Sequence, residues 1–267
     1  MPSPFDRSHA LIGMVHVDAL PGTPRNEFSV DEICARAVVD ARALAEAGFD
    51  AVMIENMHDT PYLRGEVGPE IVAGMTAVGC AVRGVFDGPL GVQILAGANA
   101  ASLATAQAID ADFIRAEGFV FATVADEGLL DEAAAGKLLR YRKAIGARDI
   151  AVFADIKKKH SSHSITADLD IGATAEAAAF FGADAVVITG SATGKHTDPA
   201  DVAAARAAVD LPIVVGSGGT PETLPRIFEC ADALIVGTFS KKDGDWRNPV
   251  DPARAKALVE AAAALRG

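Results

Sequence analysis

Short apolar segments of strand length alternate with longer segments of helical spacing along the whole chain, and this alternation constrains the fold more than any other feature. The apolar segments are Leu11–Val17, Ala51–Glu55, Leu90–Leu95, Asp112–Ala116, Ile150–Ile156, Ala185–Thr189, Ile213–Val215 and Ala233–Val236. The helical segments include Val30–Ala47, Ala98–Ile109, Glu132–Ile145, Ala173–Phe181, Ala200–Val209 and Arg254–Leu265. Repeated strand–helix units without a long linker predict an α/β fold with a parallel sheet.

Eight such units favour a single closed (β/α)8 TIM barrel, which typically takes roughly 250 residues. We expect one domain over residues 1–267, with 1–9 as a short N-terminal extension. The alternative is a doubly wound open sheet. Its G-x-G-x-x-G fingerprint is absent after the first strand, which ends in Val15-His16 and leads to Leu20-Pro-Gly22.

The last two strands run into turns that resemble phosphate-binding loops. The seventh leads to Gly216-Ser-Gly-Gly219 and the eighth to Gly237-Thr238. Glycine lets the backbone approach an anion closely. Thr220-Pro221 predicts a helix start whose free N–H groups and dipole favour negative charge. Because many barrels hold a substrate phosphate in these two loops, we predict a phosphorylated ligand.

Polar side chains cluster at the predicted carboxyl ends of the strands, where barrel enzymes carry their active sites. The expected catalytic groups are His16, Glu55, Glu117, Asp155 and Lys159. The expected substrate-binding residues are Asn56, Gln93, Arg115, Lys157, His160, Thr189, Gly190, Gly216, Ser217, Gly218, Gly219, Gly237 and Thr238. Strand alternation predicts that Asp155, Lys157 and Lys159 share one face, where a lysine pairs with phosphate or forms a Schiff base.

Several of these residues also have a structural interpretation. His16 can be a hydrogen-bonded structural histidine, and residues 157–159 can be an exposed charged edge. Glu55 and Glu117 are costly to bury unpaired, so ion pairs with Arg115 compete with a role in acid–base chemistry. The sequence leaves both interpretations open.

Other site classes lack support, and we predict neither a metal nor a cofactor. His160 and His163 lack the carboxylates and spacing of known metal motifs. Gly216-Ser-Gly218 is not the nucleophile elbow of a serine hydrolase. The loop Ile188–Lys195 is rich in glycine and hydroxyl groups and suits an anion, but it lacks the first glycine of a Walker P-loop.

The charge balance limits the partners. The chain has 24 Lys and Arg against 36 Asp and Glu, a net charge of -12, which repels nucleic acid and anionic lipid. No segment approaches the roughly 20 apolar residues of a membrane span, so we expect no membrane insertion. Cys34, Cys80 and Cys230 show no paired spacing, which favours free thiols and a cytoplasmic location. Homo-oligomerisation is left open.

Separated motifs across nearly the whole chain resemble one known family. They are Gly13-Met-Val-His16 with Leu20-Pro-Gly22, Ile54-Glu-Asn56 with Asp59, Phe113-Ile-Arg115, Asp126-Glu-Gly128, Asp155 with Lys159-His160, Thr189–Gly194, Val215-Gly-Ser-Gly218, and Val236-Gly-Thr238 with Lys241 to Asp251. The chain resembles the BtpA (BtpA/SgcQ) family, whose barrels are of the ribulose-phosphate-binding type. Gln93 and Glu117 depart from the pattern of typical members, which have Asn at each position. We therefore expect a subgroup with its own ligand.

The resemblance implies the barrel and a phosphate pocket more directly than a reaction. We expect an enzyme that isomerises, epimerises or cleaves a small phosphorylated sugar or nucleoside-derived compound. The rival interpretation is a non-catalytic photosystem I biogenesis or stability factor that retains the barrel. A ligand-sensing module is a third interpretation, with no effector domain attached to support it.

Overall fold

The computed structural model describes residues 9–157, 160–190 and 197–266. The residues outside this description are 1–8, 158–159, 191–196 and 267. They include the N-terminal extension apart from His9, both Lys158 and Lys159, and most of the loop Ile188–Lys195. The strands are β1 (Ala10–His16), β2 (Ala51–Glu55), β3 (Leu90–Gln93), β4 (Phe113–Ala116), β5 (Thr123–Ala125), β6 (Gly128–Leu130), β7 (Ala151–Ile156), β8 (Ser161–Ser162), β9 (Ala185–Ile188), β10 (Ile213–Val215) and β11 (Ala233–Val236). The α-helices are α1 (Val30–Ala47), α2 (Pro69–Arg83), α3 (Asn99–Ala108), α4 (Ala135–Ala144), α5 (Ile171–Phe180), α6 (Pro199–Ala208), α7 (Leu224–Ile227) and α8 (Pro252–Leu265).

Eight of these strands form a closed parallel barrel in the order β1-β2-β3-β4-β7-β9-β10-β11. The last strand pairs with the first, with Ile12 opposite Ile235, so the sheet has no free edge. The register places His16 beside Glu55 and Glu55 beside Gln93. The predicted (β/α)8 barrel is confirmed, and the open-sheet alternative is wrong.

Alternating strand residues form two apolar layers. One layer fills the barrel interior, where Phe113 and Phe153 stack with ring centroids 4.6 Å apart. Gly91 on β3 makes room for this pair, since a Cβ there would lie 2.3 Å from the Phe113 ring. The other layer faces the helices and includes Leu44 of α1. The interior is therefore solid below the carboxyl ends of the strands, and a ligand can enter only above it.

Capping residues set several helix starts. Ser29 and Glu32 form a capping box at α1. Asp198 and Asp251 cap α6 and α8, each with proline at the first helical position. Helix α2 was not predicted because its glycines weaken the helical signal. Gly74 and Gly79 instead allow close packing, against Leu20 and Ile109.

Two further features depart from the sequence predictions. Thr220 does not begin a regular helix, because its hydroxyl bonds to Glu222 and its carbonyl closes a turn at Thr223. The helix begins at Leu224 and has four residues. A small three-stranded sheet of β6, β5 and β8 also stands above the barrel after β4. Its strands have only two or three residues each, too few for a periodic pattern.

Candidate active site at the carboxyl end of the barrel

A cavity of about 480 Å³ opens at the carboxyl ends of the barrel strands. Many of the residues expected from sequence line it, and they come from the ends of seven barrel strands and the loops that follow them. The predicted residues that line it are His16, Glu55, Gln93, Arg115, Glu117, His160, Gly216, Ser217, Gly218, Gly219, Gly237 and Thr238. Strand ends far apart in the chain therefore converge on one volume large enough for a small metabolite.

The imidazole of His16 is oriented by contacts on both of its nitrogens. Nδ1 donates to the backbone carbonyl of Trp246 at 2.9 Å. Nε2 lies 3.8 Å from Oε2 of Glu55, and both side chains are more than nine-tenths buried. Because a carbonyl only accepts hydrogen bonds, the proton of the neutral ring belongs on Nδ1. The arrangement leaves Nε2 as the unprotonated nitrogen of the neutral ring, next to the Glu55 carboxylate.

Arg115 lies at the centre of a carboxylate cluster. Its Nε lies 3.1 Å from both carboxylate oxygens of Asp155, and its Nη2 lies 3.0 Å from Oδ1. Burial acts to lower the pKa of Arg115, but the negative charges of Asp155, Glu55 and Glu117 outweigh it and raise the pKa. The guanidinium therefore stays charged and holds the cluster together.

Glu117 is held at the edge of this cluster by its neighbours. The Nε2 of Gln93 donates to its Oε1 at 3.2 Å. Asn99 at the start of α3 contacts the backbone of Glu117 twice, accepting from its N–H at 3.1 Å and donating to its carbonyl at 2.7 Å. The side chain is consequently fixed in the cavity, as a positioned general acid or base requires.

The two glycine turns lie on the side of the cavity formed by β10 and β11. Gly216 packs against Thr189 of the neighbouring strand, since a Cβ would lie 2.7 Å from its methyl group. At the other turn, a Cβ on Gly237 would lie 3.2 Å from Nε2 of His16. The N–H groups of Gly219, Gly237 and Thr238 make no hydrogen bond within the described part of the chain. These backbone donors suit an anion. The helix start predicted at Thr220 contributes no donors, because the helix begins at Leu224.

Several predicted binding residues support the cavity from outside it. The carbonyl oxygen of the Asn56 side chain accepts from the N–H of Leu95 at 2.7 Å, and its amide donates to Asp59 at 2.8 Å. Burial raises the pKa of Asp59, although its hydrogen bonds oppose the shift. The N–H of Gly190 donates to the hydroxyl of Ser217 at 2.9 Å. Asn56, Thr189 and Gly190 therefore position the loops and do not line the cavity.

Residues at and after β7 need correction. Asp155 is not among the residues that line the cavity, and its carboxylate pairs with Arg115, which does line it. The strand ends at Ile156, and Lys157 has a positive φ of 48°, so the predicted alternation stops there. The ammonium group of Lys157 donates to the carbonyl of Leu169. His160 lies at the outer mouth, with Nδ1 3.6 Å from Asp126. The predicted catalytic Lys159 lies outside the described residues.

Further residues line the cavity that were not predicted from sequence as site residues, among them Tyr62, Glu127, Trp246 and Arg254. Arg254 lies in the first turn of α8, where its Nε donates to the carbonyl of Phe239 at 2.6 Å and its guanidinium lies 4.4 Å from that ring's centroid. The sequence contains a signal for Arg254, because Asp251-Pro252 predicts a helix start just before it. The first turn of a barrel helix lies near the carboxyl ends of the strands. Glu127 comes from the β5–β6 turn and belongs to the motif Asp126-Glu-Gly128, which carried the family resemblance but was not assigned to the site.

A buried ion pair fixes the loop that carries Trp246. The Nζ of Lys241 lies 2.7 Å from Oδ2 of Asp40 on α1, and Oδ1 accepts from the N–H of Val250 at 2.8 Å. Lys241 is fully buried. Burial lowers the pKa of Lys241, and the nearby Asp40 opposes the shift. The pair thus ties both ends of the loop over the barrel to the first helix.

Two features are absent from the described residues. They contain no group of three or more His, Cys, Asp and Glu side chains arranged around a potential metal position. None of their helices combines the length and the apolar character of a bilayer-crossing segment. The thiols of Cys34, Cys80 and Cys230 are all free.

Comparison with known proteins identifies the family. A model of the BtpA family matches residues 7–264. The chain belongs to the BtpA family. An uncharacterised mitochondrial protein of Caenorhabditis elegans is 42% identical, over 91% of this chain and 89% of its own. The photosystem I biogenesis protein BtpA of Synechocystis is 31% identical, over 97% of this chain and 90% of its own.

Solved structures similar to this member of the BtpA family share its barrel. One is (S)-3-O-geranylgeranylglyceryl phosphate synthase from Thermoplasma acidophilum, in complex with sn-glycerol-1-phosphate. The TM-score is 0.59 at 17% identity, with 96% of this chain and 93% of that chain covered. This likeness concerns the fold alone.

Proposed function

We propose that this protein is an enzyme that acts on a small phosphorylated sugar or nucleoside-derived compound. The observation that carries the proposal is that anion-binding donors lie on one side of the cavity and titratable side chains on the other. Backbone donors of Gly219, Gly237 and Thr238 lie on the β10–β11 side, and the titratable groups His16, Glu55 and Glu117 lie at the ends of β1, β2 and β4. A ligand whose phosphate binds the first set presents its carbon atoms to the second.

Arg254 supports the phosphate position. Its guanidinium lines the cavity beside Phe239, the residue after Thr238, and its Nη groups make no hydrogen bond within the described residues. A guanidinium and converging backbone N–H groups together bind phosphate strongly. The glycerol phosphate synthase of the same fold has a phosphate-bearing substrate, which agrees with this ligand class.

The titratable groups favour proton transfer. His16 presents Nε2 to the cavity, 3.8 Å from Glu55, while Glu117 is held by Gln93. Proton-exchanging groups at the ends of β1, β2 and β4 suit proton removal and return next to a carbonyl, the step shared by isomerases, epimerases and carbon–carbon lyases. Arg115 supplies the positive charge that stabilises a developing oxyanion.

A thermal-shift screen of sugar phosphates and nucleoside phosphates tests the proposal. A compound present at about a hundredfold its Kd stabilises the native state by about 2.7 kcal/mol. For a chain of this size, we expect a rise in the melting temperature of about 5 °C or more. The matching dephosphorylated compound is expected to give no shift.

A matched pair of variants at Thr238 locates the phosphate. Thr238→Glu adds a carboxylate among the backbone donors and is expected to abolish the stabilisation. Thr238→Val keeps the shape of the side chain and is expected to keep the stabilisation. If sugar phosphates stabilise all three proteins equally, the phosphate does not bind at the glycine turns.

The second candidate is a non-catalytic photosystem I biogenesis or stability factor. The relative from Synechocystis supports it by name. This role predicts that no phosphorylated compound stabilises the protein. It also predicts that His16→Gln and Glu117→Gln leave photosystem I levels unchanged in a photosynthetic host that depends on this protein.

A further inference from the structure

The topology of the barrel determines what lies across the cavity from the glycine turns. In the closed strand order, β3 lies directly opposite β10, and β4 lies directly opposite β11. Gln93 ends β3 and Glu117 follows β4, so both face the glycine turns. The β5–β6 turn inserted after β4 adds Glu127 to the lining. We call Gln93, Glu117 and Glu127 the acceptor cluster.

Two buried oxygens of the acceptor cluster have no hydrogen-bond donor among the described residues. Gln93 is only 1% exposed, and its Oε1 makes no hydrogen bond. Its amide orientation follows from its neighbour, because only the NH2 group can donate to the carboxylate of Glu117. Oε2 of Glu127 is also buried and makes no hydrogen bond with a described residue. Since an unsatisfied buried acceptor costs about 1–3 kcal/mol, a ligand that donates here gains affinity.

The charges around the acceptor cluster favour a cation over a neutral donor. The carboxylates of Glu55, Glu117, Asp126 and Glu127 all line the cavity. Of the two guanidinium groups in the described lining, Arg254 lies beside Phe239 on the phosphate side, and Arg115 already pairs with Asp155. Burial, reinforced by the negative charges of Glu55, Glu127, Asp59 and Glu117, raises the pKa of Tyr62, which stays protonated and donates to the carbonyl of Met57. Its proton is therefore not shared with the carboxylates.

We propose that the acceptor cluster binds a protonated amine, and that the substrate is therefore an amino-bearing phosphate, such as an amino sugar phosphate. This inference rests on the proposed function, which fixes the phosphate at the opposite side. The ammonium group supplies up to three N–H donors for Oε1 of Gln93, Oε2 of Glu127 and the carboxylate of Glu117. It also supplies the positive charge that the described lining lacks there.

Matched ligand pairs test the amine directly. Isothermal titration calorimetry at pH 7 compares glucosamine 6-phosphate with glucose 6-phosphate, and 3-aminopropyl phosphate with 3-hydroxypropyl phosphate. Each pair differs only in amine against hydroxyl. We expect at least one amine to bind about tenfold or more tightly than its hydroxyl partner, the equivalent of about 1.4 kcal/mol.

Variants assign the preference to the acceptor cluster. Glu127→Gln and Gln93→Leu are expected to reduce the preference for the amine to less than about threefold. Glu127 lies on a partly exposed turn, so its variant is expected to fold even where Gln93→Leu does not. Glu260→Gln removes an exposed carboxylate of α8 far from the cavity lining and is expected to leave the preference unchanged.

The outcomes separate the two proposals. If the amine and its hydroxyl partner bind equally tightly and Thr238→Glu abolishes the binding of both, the proposed amine site is overturned and the proposed function stands. A preference that persists in both Glu127→Gln and Gln93→Leu overturns the assignment to the acceptor cluster. If no ligand of either pair binds, the phosphate site is overturned and the amine site with it. The same holds if a ligand binds and Thr238→Glu does not weaken its binding.

Discussion

His16 and Trp246, which are 230 positions apart, are joined by a hydrogen bond of 2.9 Å from Nδ1 of the imidazole to the backbone carbonyl. The end of the first barrel strand is thereby fixed to the loop after the last one. The bond leaves Nε2 to face Glu55 and the backbone of Gly237. One histidine thus contacts both halves of the cavity, the side of the titratable groups and the side of the glycine turns.

The first prediction concerns the tautomer of His16. The neutral ring is expected to carry its proton on Nδ1, because the Trp246 carbonyl requires a donor. Two-bond 1H–15N correlation spectra of 15N-histidine-labelled protein at pH 8 report the protonated nitrogen. His16→Gln identifies the signal by its loss. A ring protonated on Nε2 instead would remove the argument that this nitrogen acts as a base.

The second prediction contrasts two glycines of the phosphate turns. A Cβ at Gly237 meets Nε2 of His16 at 3.2 Å, so Gly237→Ala is expected to shift the imidazole and weaken binding of a phosphorylated ligand about tenfold. A Cβ at Gly219 meets a methyl group of buried Leu234 at 2.5 Å. Gly219→Ala is therefore expected to cost about 1–3 kcal/mol of stability through overpacking.

Urea denaturation and ligand titration of both variants separate these effects. Gly237→Ala should unfold at nearly the wild-type urea concentration and move the ring signals of His16. Gly219→Ala should unfold earlier. Loss of stability in Gly237→Ala comparable to that in Gly219→Ala, with unchanged ligand affinity, would show that Gly237 has only a packing role.

The third prediction concerns the buried pair Lys241–Asp40. Lys241→Met leaves the Asp40 carboxylate buried without its cation and is expected to cost about 3–5 kcal/mol. The double variant Asp40→Asn/Lys241→Met is expected to recover most of this loss, because Asn still accepts from the N–H of Val250. Lys256→Met breaks an exposed pair with Glu260 and should change stability by at most about 0.5 kcal/mol.

Denaturant midpoints of the four proteins measure the coupling. A double variant as unstable as Lys241→Met would mean that the lysine stem, and not the charge pair, holds the loop over the barrel. Since this loop carries Trp246, the His16 ring signals should also change in Lys241→Met.

The sequence predicted the barrel better than it predicted the site. Continuous apolar runs such as Ala51–Glu55 identify buried strands without ambiguity, and their carboxyl ends locate the cavity. The alternation rule failed at Lys157, where the backbone enters the left-handed region and turns the side chain toward Leu169. Likewise, nothing local to Asp155 reveals that its carboxylate pairs with Arg115, 40 positions away in the chain.

The residues missed by sequence reasoning come from long-range contacts. Trp246 and Glu127 reach the cavity from a loop and a short hairpin without periodicity. From sequence alone, Lys241 would be placed on the surface. Its burial is explained by its contact with Asp40, which is 201 positions away. Such contacts are determined by tertiary packing of elements that are remote in the chain. The motifs Asp126-Glu-Gly128 and Lys241 to Asp251 include these residues, but they do not show what the side chains contact.

The last prediction concerns pH. Burial lowers the pKa of His58 below its ordinary 6.5, and the positive charges of Lys241, Arg36 and Arg25 add to the shift while Asp18 opposes it. The folded protein therefore binds this proton more weakly than the unfolded chain does, and stability is lost as the pH falls below about 6.5. His58→Phe keeps a ring against Trp246, which lies 5.2 Å away between centroids, and cannot titrate.

We expect His58→Phe to lose less free energy of unfolding than the wild type between pH 7.5 and pH 5.0, measured by urea denaturation at both values. The contributions of all other titrating groups are shared by the two proteins, so the difference isolates His58. An imidazole titration followed by NMR should give a midpoint below 6.5 in the folded wild type. Equal losses in the two proteins would mean that His58 titrates in the fold as it does in the unfolded chain, and that its packing against Trp246 does not exclude water.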